Sequence, residues 1–317
     1  MQSKAIKKAK ELLENEKLVA IPTETVYGLA GNAYSTTAVK KIYELKGRPS
    51  NNPLIVHIKS RAYLDEVAQN IPEQAYRLAE KFWPGPLTLV LEKQDRVPDI
   101  VSAHKNTVGV RVPNHPLTLS LLEALDFPLV APSANTSNHI SPTCKAHVQA
   151  SFGEKSPYVL DGGPCESGLE STILGFKGSE ILLYRHGVLS KELLSAFLGQ
   201  KIVEHTHAAV PESPGMFLKH YAPHTPLYFY DDKAFKAAQE QNLRIGFLNF
   251  RATNPYINPE NQRILSPLGS LEEAAKNLYR FLYELDALGL DLIFAEQLPS
   301  HGIGRAIHDK LYRASQK

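Results

Sequence analysis

The sequence predicts an α/β protein built in two units, and three observations predict it. Short apolar, β-rich runs alternate with helix-period segments through the first two-thirds of the chain. Between Glu204 and Pro226 the composition turns to proline and histidine, the mark of a semi-rigid spacer. After it, strand and helix patterns alternate again, which gives a small domain with a parallel sheet. A length of 317 residues is ample for two cores, and 43% hydrophobic with 21% charged residues excludes a disordered or fibrous chain.

Taken in order, Ile6, Ala9, Leu12 and Leu13 trace one face of an opening helix. Leu18–Ile21 and Leu54–Ile58 read as buried strands, and between them a helix opens at Ser35 and carries Ala38, Val39, Ile42, Tyr43 and Leu45. The three form a strand–helix–strand unit. Ala62–Val67 and Glu73–Phe82 read as short helices; Trp83-Pro84-Gly85-Pro86 stops them, because two prolines and a glycine cannot extend a helix, and Trp83 packs as core. Strands follow at Leu87–Leu91, Val108–Val112, Phe127–Ala131, Tyr158–Leu160 and Ile181–Tyr184. The second unit reads as strand Leu227–Tyr230, helix Lys233–Gln241, strand Arg244–Phe250, helix Leu271–Leu288, strand Leu292–Ala295 and a helix from Gly304. His301-Gly302-Ile303-Gly304 before that helix reads as a tight turn without chemistry.

Several classes are excluded. Lys4, Lys7, Lys8 and Lys10 interrupt any signal-peptide run, and no apolar stretch approaches the ~20 residues of a membrane span. With two cysteines, Cys144 and Cys165, too few for a disulfide framework, a cytoplasmic location is expected. Net charge is +2, and acid and base balance on both sides of residue 206, so constitutive tight RNA binding is not indicated. There is no Gly-x-x-x-x-Gly-Lys-Ser/Thr loop, and Cys144, His147, His139 and Cys165 lack paired zinc spacing. Ser102-x-x-Lys105 with Ser133-x-Asn135 matches part of the penicillin-binding serine pattern, but its Lys-Thr/Ser-Gly element is missing.

What remains are polar groups at strand and helix junctions. Lys46-Gly47-Arg48 reads as an anion clamp: Gly47 turns the backbone, Pro49 forbids the helix from continuing, and two cations stand close together. The competing reading is that both cations merely answer a helix dipole, worth about 0.3–1 kcal/mol. Arg111, amid Val108-Gly109-Val110 and Val112, either faces solvent or is aimed into a site, and alternation alone leaves both open. Ser133 and Asn135 follow a strand end, where open sheets bind ligands, though turns use the same residues.

The run Pro22-Thr23-Glu24-Thr25-Val26-Tyr27-Gly28-Leu29, followed by Lys46-Gly47-Arg48-Pro49, Asn52-Pro53-Leu54 and His57, resembles the L-threonylcarbamoyladenylate synthase family, whose short form is known as YrdC. Trp83-Pro84-Gly85-Pro86-Leu87-Thr88, Val108–Pro113, Ala131-Pro132-Ser133-Ala134-Asn135, Ser171-Thr172-Ile173 and Arg185-His186-Gly187 match in order. Ser213-Pro214-Gly215-Met216 and His220-Tyr221-Ala222-Pro223 carry the resemblance into the extra domain of the long form. It implies a YrdC-like twisted mixed-sheet catalytic domain over 1–206, a Pro-rich linker or lid over 207–226, and a smaller Rossmann-like α/β domain over 227–317.

The implied reaction joins L-threonine, bicarbonate or carbon dioxide, and ATP into threonylcarbamoyl-AMP and pyrophosphate. The product passes to a downstream threonylcarbamoyl transferase that modifies tRNA, and direct tRNA contact is a weaker expectation. The resemblance implies Thr25, His57, Arg111, Ala131 and Ser171 for threonine, with the Arg111 fork on its carboxylate. For ATP it implies Lys46, Arg48, Asn52, Thr107, Ser133, Asn135, Ser141 and Arg185, with His220 and Tyr221 from the linker. Lys46 and Arg48 are then the catalytic pair, and Ser133 and Asn135 the Mg2+ contacts. Two rivals are a carbamoyl-transfer domain of the hydrogenase-maturation type, whose accompanying zinc-finger cysteines are absent, and an RNA-binding or ribosome-assembly module without catalysis.

Overall fold

The computed structural model describes residues 2–205, 213, 218 and 220–316. Its first unit opens with helix α1 (Gln2–Glu14) and strands β1 (Val19–Ile21) and β2 (Gly28–Asn32). Helix α2 (Thr36–Lys46) follows, bounded as its sequence dictates: Ser35 Oγ accepts from Ala38 N at 3.1 Å, and Gly47, at φ +58°, turns the chain back by bonding to Glu44 O and Tyr43 O. Then come β3 (Ile55–His57), a 3₁₀ turn over Arg61–Glu66, β4 (Ala68–Gln69), α3 (Glu73–Phe82), β5 (Leu87–Lys93) and β6 (Thr107–Arg111). The Trp83 indole donates to Leu87 O at 2.7 Å from within the core. Helix α4 (Pro116–Ala124), β7 (Leu129–Val130), α5 (Lys145–Phe152), β8 (Tyr158–Val159), β9 (Thr172–Lys177), β10 (Glu180–Arg185), α6 (Lys191–Leu198) and β11 (Ile202–Glu204) complete the unit.

These strands form one eleven-stranded mixed sheet, ordered β11-β10-β9-β5-β6-β3-β7-β2-β1-β8, with β4 beside β5. The strand–helix–strand expectation needs correction here. β1 and β3 are not neighbours; β7 and β2 lie between them, and the strand that feeds α2 is β2, which pairs antiparallel with β1. Three helices, α4, α5 and α6, and strands β2, β4, β9 and β11 carry no expectation from the sequence.

The sheet has two unlike faces. Val56, Leu89, Val110, Leu174 and Leu183 point to the face covered by the helices and build the main core. Their alternates Ile55, Val90, Ile173, Leu182 and Tyr184 form a small apolar floor on the other face. His57 and Arg111 continue that second face: β3 and β6 run parallel with His57 opposite Arg111 and Ile55 opposite Gly109.

The second unit is a four-stranded, wholly parallel sheet ordered β12-β15-β13-β14, from β12 (Leu227–Phe229), β13 (Ile245–Asn249), β14 (Gln262–Ile264) and β15 (Leu292–Ala295). Helices α7 (Asp232–Glu240), α8 (Leu271–Asp286) and α9 (Gly304–Ala314) pack on it. Its core continues into the first unit, since Val26, Ile140 and Leu169 belong to the same apolar cluster as Leu278, Leu282 and Ile307.

Candidate active site

A cavity on the second face of the large sheet gathers Thr25, His57, Arg111, Ser171, Arg185 and Arg48, with Ala131 and Ser133 on its wall. Two cationic seats open into it. At the first, Arg111 is almost fully buried and its guanidinium is only partly committed. Nε donates to Gly85 O at 3.2 Å, Nη1 to Thr25 Oγ1 at 3.0 Å, and Nη2 lies 2.6 Å from Glu24 Oε1 in an ion pair. Nε and one Nη1 N–H are spent in hydrogen bonds; Nη2, which is ion-paired with Glu24 but makes no hydrogen bond, and the second Nη1 N–H are left to meet a planar anion as a fork. Thr25 is held by its own turn, its hydroxyl 2.8 Å from that of Thr23. His57 sits beside Arg111, and burial followed by that neighbouring charge pushes its imidazole down to about 3, so it is neutral at physiological pH. With Nδ1–H directed at Ile55 O, 3.2 Å away, Nε2 is left as an acceptor.

The second seat is made where α2 ends. Gly47 lets Lys46 and Arg48 turn to one side: Lys46 Nζ, buried, donates to the carbonyls of Ser133 and Asn135. Burial, then the nearby Arg48, holds its ammonium well below the usual lysine range. Arg48 is fixed against the next loop, with Nη2 on Asn52 Oδ1 at 2.6 Å and on Pro53 O at 2.8 Å. It is lowered to about 10, chiefly by burial, and keeps its charge at neutral pH. Arg185, at the end of β10, donates Nε to Ser171 O and Nη2 to Ser171 Oγ, both at 3.0 Å, while Thr88 Oγ1 meets the same Ser171 hydroxyl at 2.7 Å. Two anions can therefore lie side by side on one sheet face, each against a guanidinium.

His220 and Tyr221 reach this place from the linker, just before the second unit. The His220 ring lines the cavity beside Arg48 and Ser133, its amide bonds to Arg313 O of α9 at 3.3 Å, and its ring stacks on Tyr221 at 3.9 Å between centroids. Burial, then Arg48 and Lys46, hold the imidazole far below its ordinary value. Pro211 and Pro214–Met216 of the expected linker lie outside the described residues.

The structure thus brings together all the expected residues but two. Thr107 opens β6 on the same face as Arg111, but four residues away, about 13 Å along the strand. It lines a separate cleft with Glu92 and Asn106. Ser141 does not line the cavity but stands behind one of its walls, its hydroxyl donating to Glu170 Oε1 at 2.6 Å. Ser133 and Asn135 do not fit a resident magnesium ion. They supply neutral oxygens only, the Lys46 ammonium already occupies both carbonyls, and Asn135 Nδ2 is turned to Thr136 O and His139 O. Magnesium would have to arrive on the phosphates of a nucleotide. Sequence reasoning missed two buried carboxylates, Glu24 and Glu170, although Glu24 stands in a quoted motif beside Thr25 and Glu170 directly precedes Ser171.

The chain is similar to known proteins along nearly its whole length. A family model described as "Telomere recombination" matches residues 11–187, and one described as "Threonylcarbamoyl-AMP synthase, C-terminal domain" matches residues 189–316. The chain is 38% identical to the threonylcarbamoyl-AMP synthase of Pyrococcus abyssi, over 98% of this chain and 94% of the relative. It is 39% identical to that of Bacillus subtilis, over 98% and 92%. The crystal structure of P. abyssi Sua5 complexed with L-threonine superposes with a TM-score of 0.90 at 37% identity, covering 99% of this chain and 95% of that one.

Proposed function

The chain belongs to the threonylcarbamoyl-AMP synthase family in its two-domain form, and from that premise we propose how its site makes the adenylate. The substrates are L-threonine, ATP and bicarbonate or carbon dioxide. Threonine's amine takes up carbon dioxide to give a carbamate; a carbamate oxygen attacks the α-phosphorus of ATP, and the bond to pyrophosphate breaks. Atoms balance without any bond to the protein.

What the protein contributes is alignment of anions and neutralisation of their charge. Arg111 presents its uncommitted N–H groups to the threonine carboxylate. His57, neutral because of its burial, accepts a hydrogen bond from threonine rather than taking its proton. Lys46, Arg48 and Arg185 face the triphosphate and the departing pyrophosphate, with magnesium carried by ATP itself. Cys165 does not serve as a nucleophile: burial pushes its thiol up to about 12. Residues 207–226 act as a lid that keeps water from the mixed anhydride, His220 and Tyr221 being the part that meets the site. The adenylate is handed to a threonylcarbamoyl transferase for tRNA modification.

The observation that carries this reading is the pair of cationic seats facing one cavity. Mass spectrometry of the product formed from 13C-bicarbonate tests it. Expected is an adenylate carrying the label only when L-threonine is present; AMP and pyrophosphate formed without carbon incorporation would contradict it.

A further inference from the structure

The small domain reaches the wall of the cavity through a tyrosine that touches one of its lining residues. Helix α8 turns Ala275, Tyr279 and Tyr283 to the same side at i, i+4 spacing, and that side lies against the large domain. Tyr283 OH donates to Ile140 O at 2.8 Å and its ring stacks on His147 at 3.9 Å. At Gly168 the approach is backbone to backbone, since a Cβ there would stand 2.6 Å from Lys276 Cα. Between these points Tyr279 OH lies 2.9 Å from Glu170 Oε2 and 3.1 Å from Glu170 Oε1, and Ser141 Oγ donates to the same Oε1 at 2.6 Å. All three side chains are buried.

Glu170 is chemically out of place. It lines the cavity that must receive a carboxylate, a carbamate and a triphosphate, and Arg185 lines the same cavity. Yet among the described residues Glu170 makes no ion pair; its oxygens are taken by two neutral hydroxyls. A buried carboxylate beside an anion site either competes for the cations or repels the substrate, unless something holds it back. We propose that Tyr279, with Ser141, is a positioning residue: it ties the Glu170 carboxylate away from Arg185 and so leaves that guanidinium for the phosphates of ATP. The small domain then serves the reaction through α8, by holding an anion of the large domain in a place where it does no harm. Tyr221, whose ring lies 5.9 Å from that of Tyr279, links this tie to the linker.

This inference rests on the adenylation reading, and the test separates the two. Threonine-dependent pyrophosphate release is measured for wild type, Tyr279→Phe, Glu170→Gln and the double variant, with thermal unfolding to confirm folding and Tyr283→Phe to report a lost interdomain contact alone. Wild-type release tests the adenylation reading. Given that release, Tyr279→Phe is expected to raise the KM for ATP by about tenfold, the scale of one charge-assisted hydrogen bond, and to leave the KM for threonine within about twofold. Adding Glu170→Gln to Tyr279→Phe is expected to restore the KM for ATP, because the freed group is then uncharged. Tyr283→Phe is expected to leave it unchanged. The proposal is overturned by an unchanged KM for ATP in Tyr279→Phe, or by a double variant no better than Tyr279→Phe, which would show that the tyrosine only holds the domains together.

Discussion

Replacing Arg111 by methionine, which keeps the length and removes the charge, should damage stability and binding by separable amounts. Arg111 and Glu24 have side chains each 5% exposed and lie 2.6 Å apart, so the variant leaves a buried carboxylate whose other oxygen still accepts from Asn114 N at 3.0 Å. Breaking such a pair costs about 3–5 kcal/mol. Denaturant unfolding of variant and wild type at pH 7 should therefore show a deficit of about 3–5 kcal/mol. Adding Glu24→Gln should restore most stability at pH 7, because no charge is then buried. Threonine binding should not return with it: the carboxylate has lost its fork, and the KM for threonine should stay about a hundredfold above wild type. A deficit below about 1 kcal/mol, or a double variant that regains both stability and threonine affinity, would refute the reasoning that Arg111 balances Glu24 and binds substrate with different N–H groups.

Three further outcomes follow from single positions. His57 is pushed down to about 3 and His147 to about 4, in each case chiefly by burial, so below pH 6.5 the unfolded chain binds protons that the folded chain refuses. Stability should be flat above pH 6.5 and fall as pH drops toward 4, by about 2 kcal/mol from His57 at pH 5, and His57→Gln should flatten part of that slope. Gly168→Ala places a Cβ against the α8 backbone at φ +72°, where no flexible side chain can yield; urea unfolding should show a loss of about 2–4 kcal/mol. Thr107→Ala should leave the KM for ATP within about twofold of wild type, since truncation of a half-exposed surface threonine removes no substrate contact; a larger rise would return Thr107 to the nucleotide site.

How far the sequence speaks differs from element to element, for physical reasons. Helix α2 is readable to its ends because local chemistry sets them: the Ser35 cap, the Gly47 turn and Pro49 each act within four residues. β2 escapes because Gly28-Leu29-Ala30-Gly31-Asn32 lacks β-branched residues; it is a strand only because β1 and β7 flank it. Sheet order is equally hidden. The antiparallel neighbour of β3 is β7, some seventy residues later, and nothing local to Ile55 says so. Among site residues, those at junctions were legible, as Lys46, Arg48 and Ser133 show. Glu24 and Glu170 were not, because a carboxylate's role depends on its partners, and Tyr279 stands 109 residues from Glu170. Thr107 shows the converse: it shares a strand and a face with Arg111, yet lines a different cleft, which no local pattern announces.

Pyrophosphate release from ATP, with magnesium and bicarbonate, in the presence and absence of L-threonine, tests the central claim most directly. Wild type, Lys46→Ala and Arg111→Ala are compared after each is shown to be folded. Release that requires both threonine and bicarbonate, and that collapses in both variants, is the predicted result, because each variant removes one of the two anion seats. Release without threonine, or release that survives either substitution, would contradict a site built on two cationic seats facing one cavity.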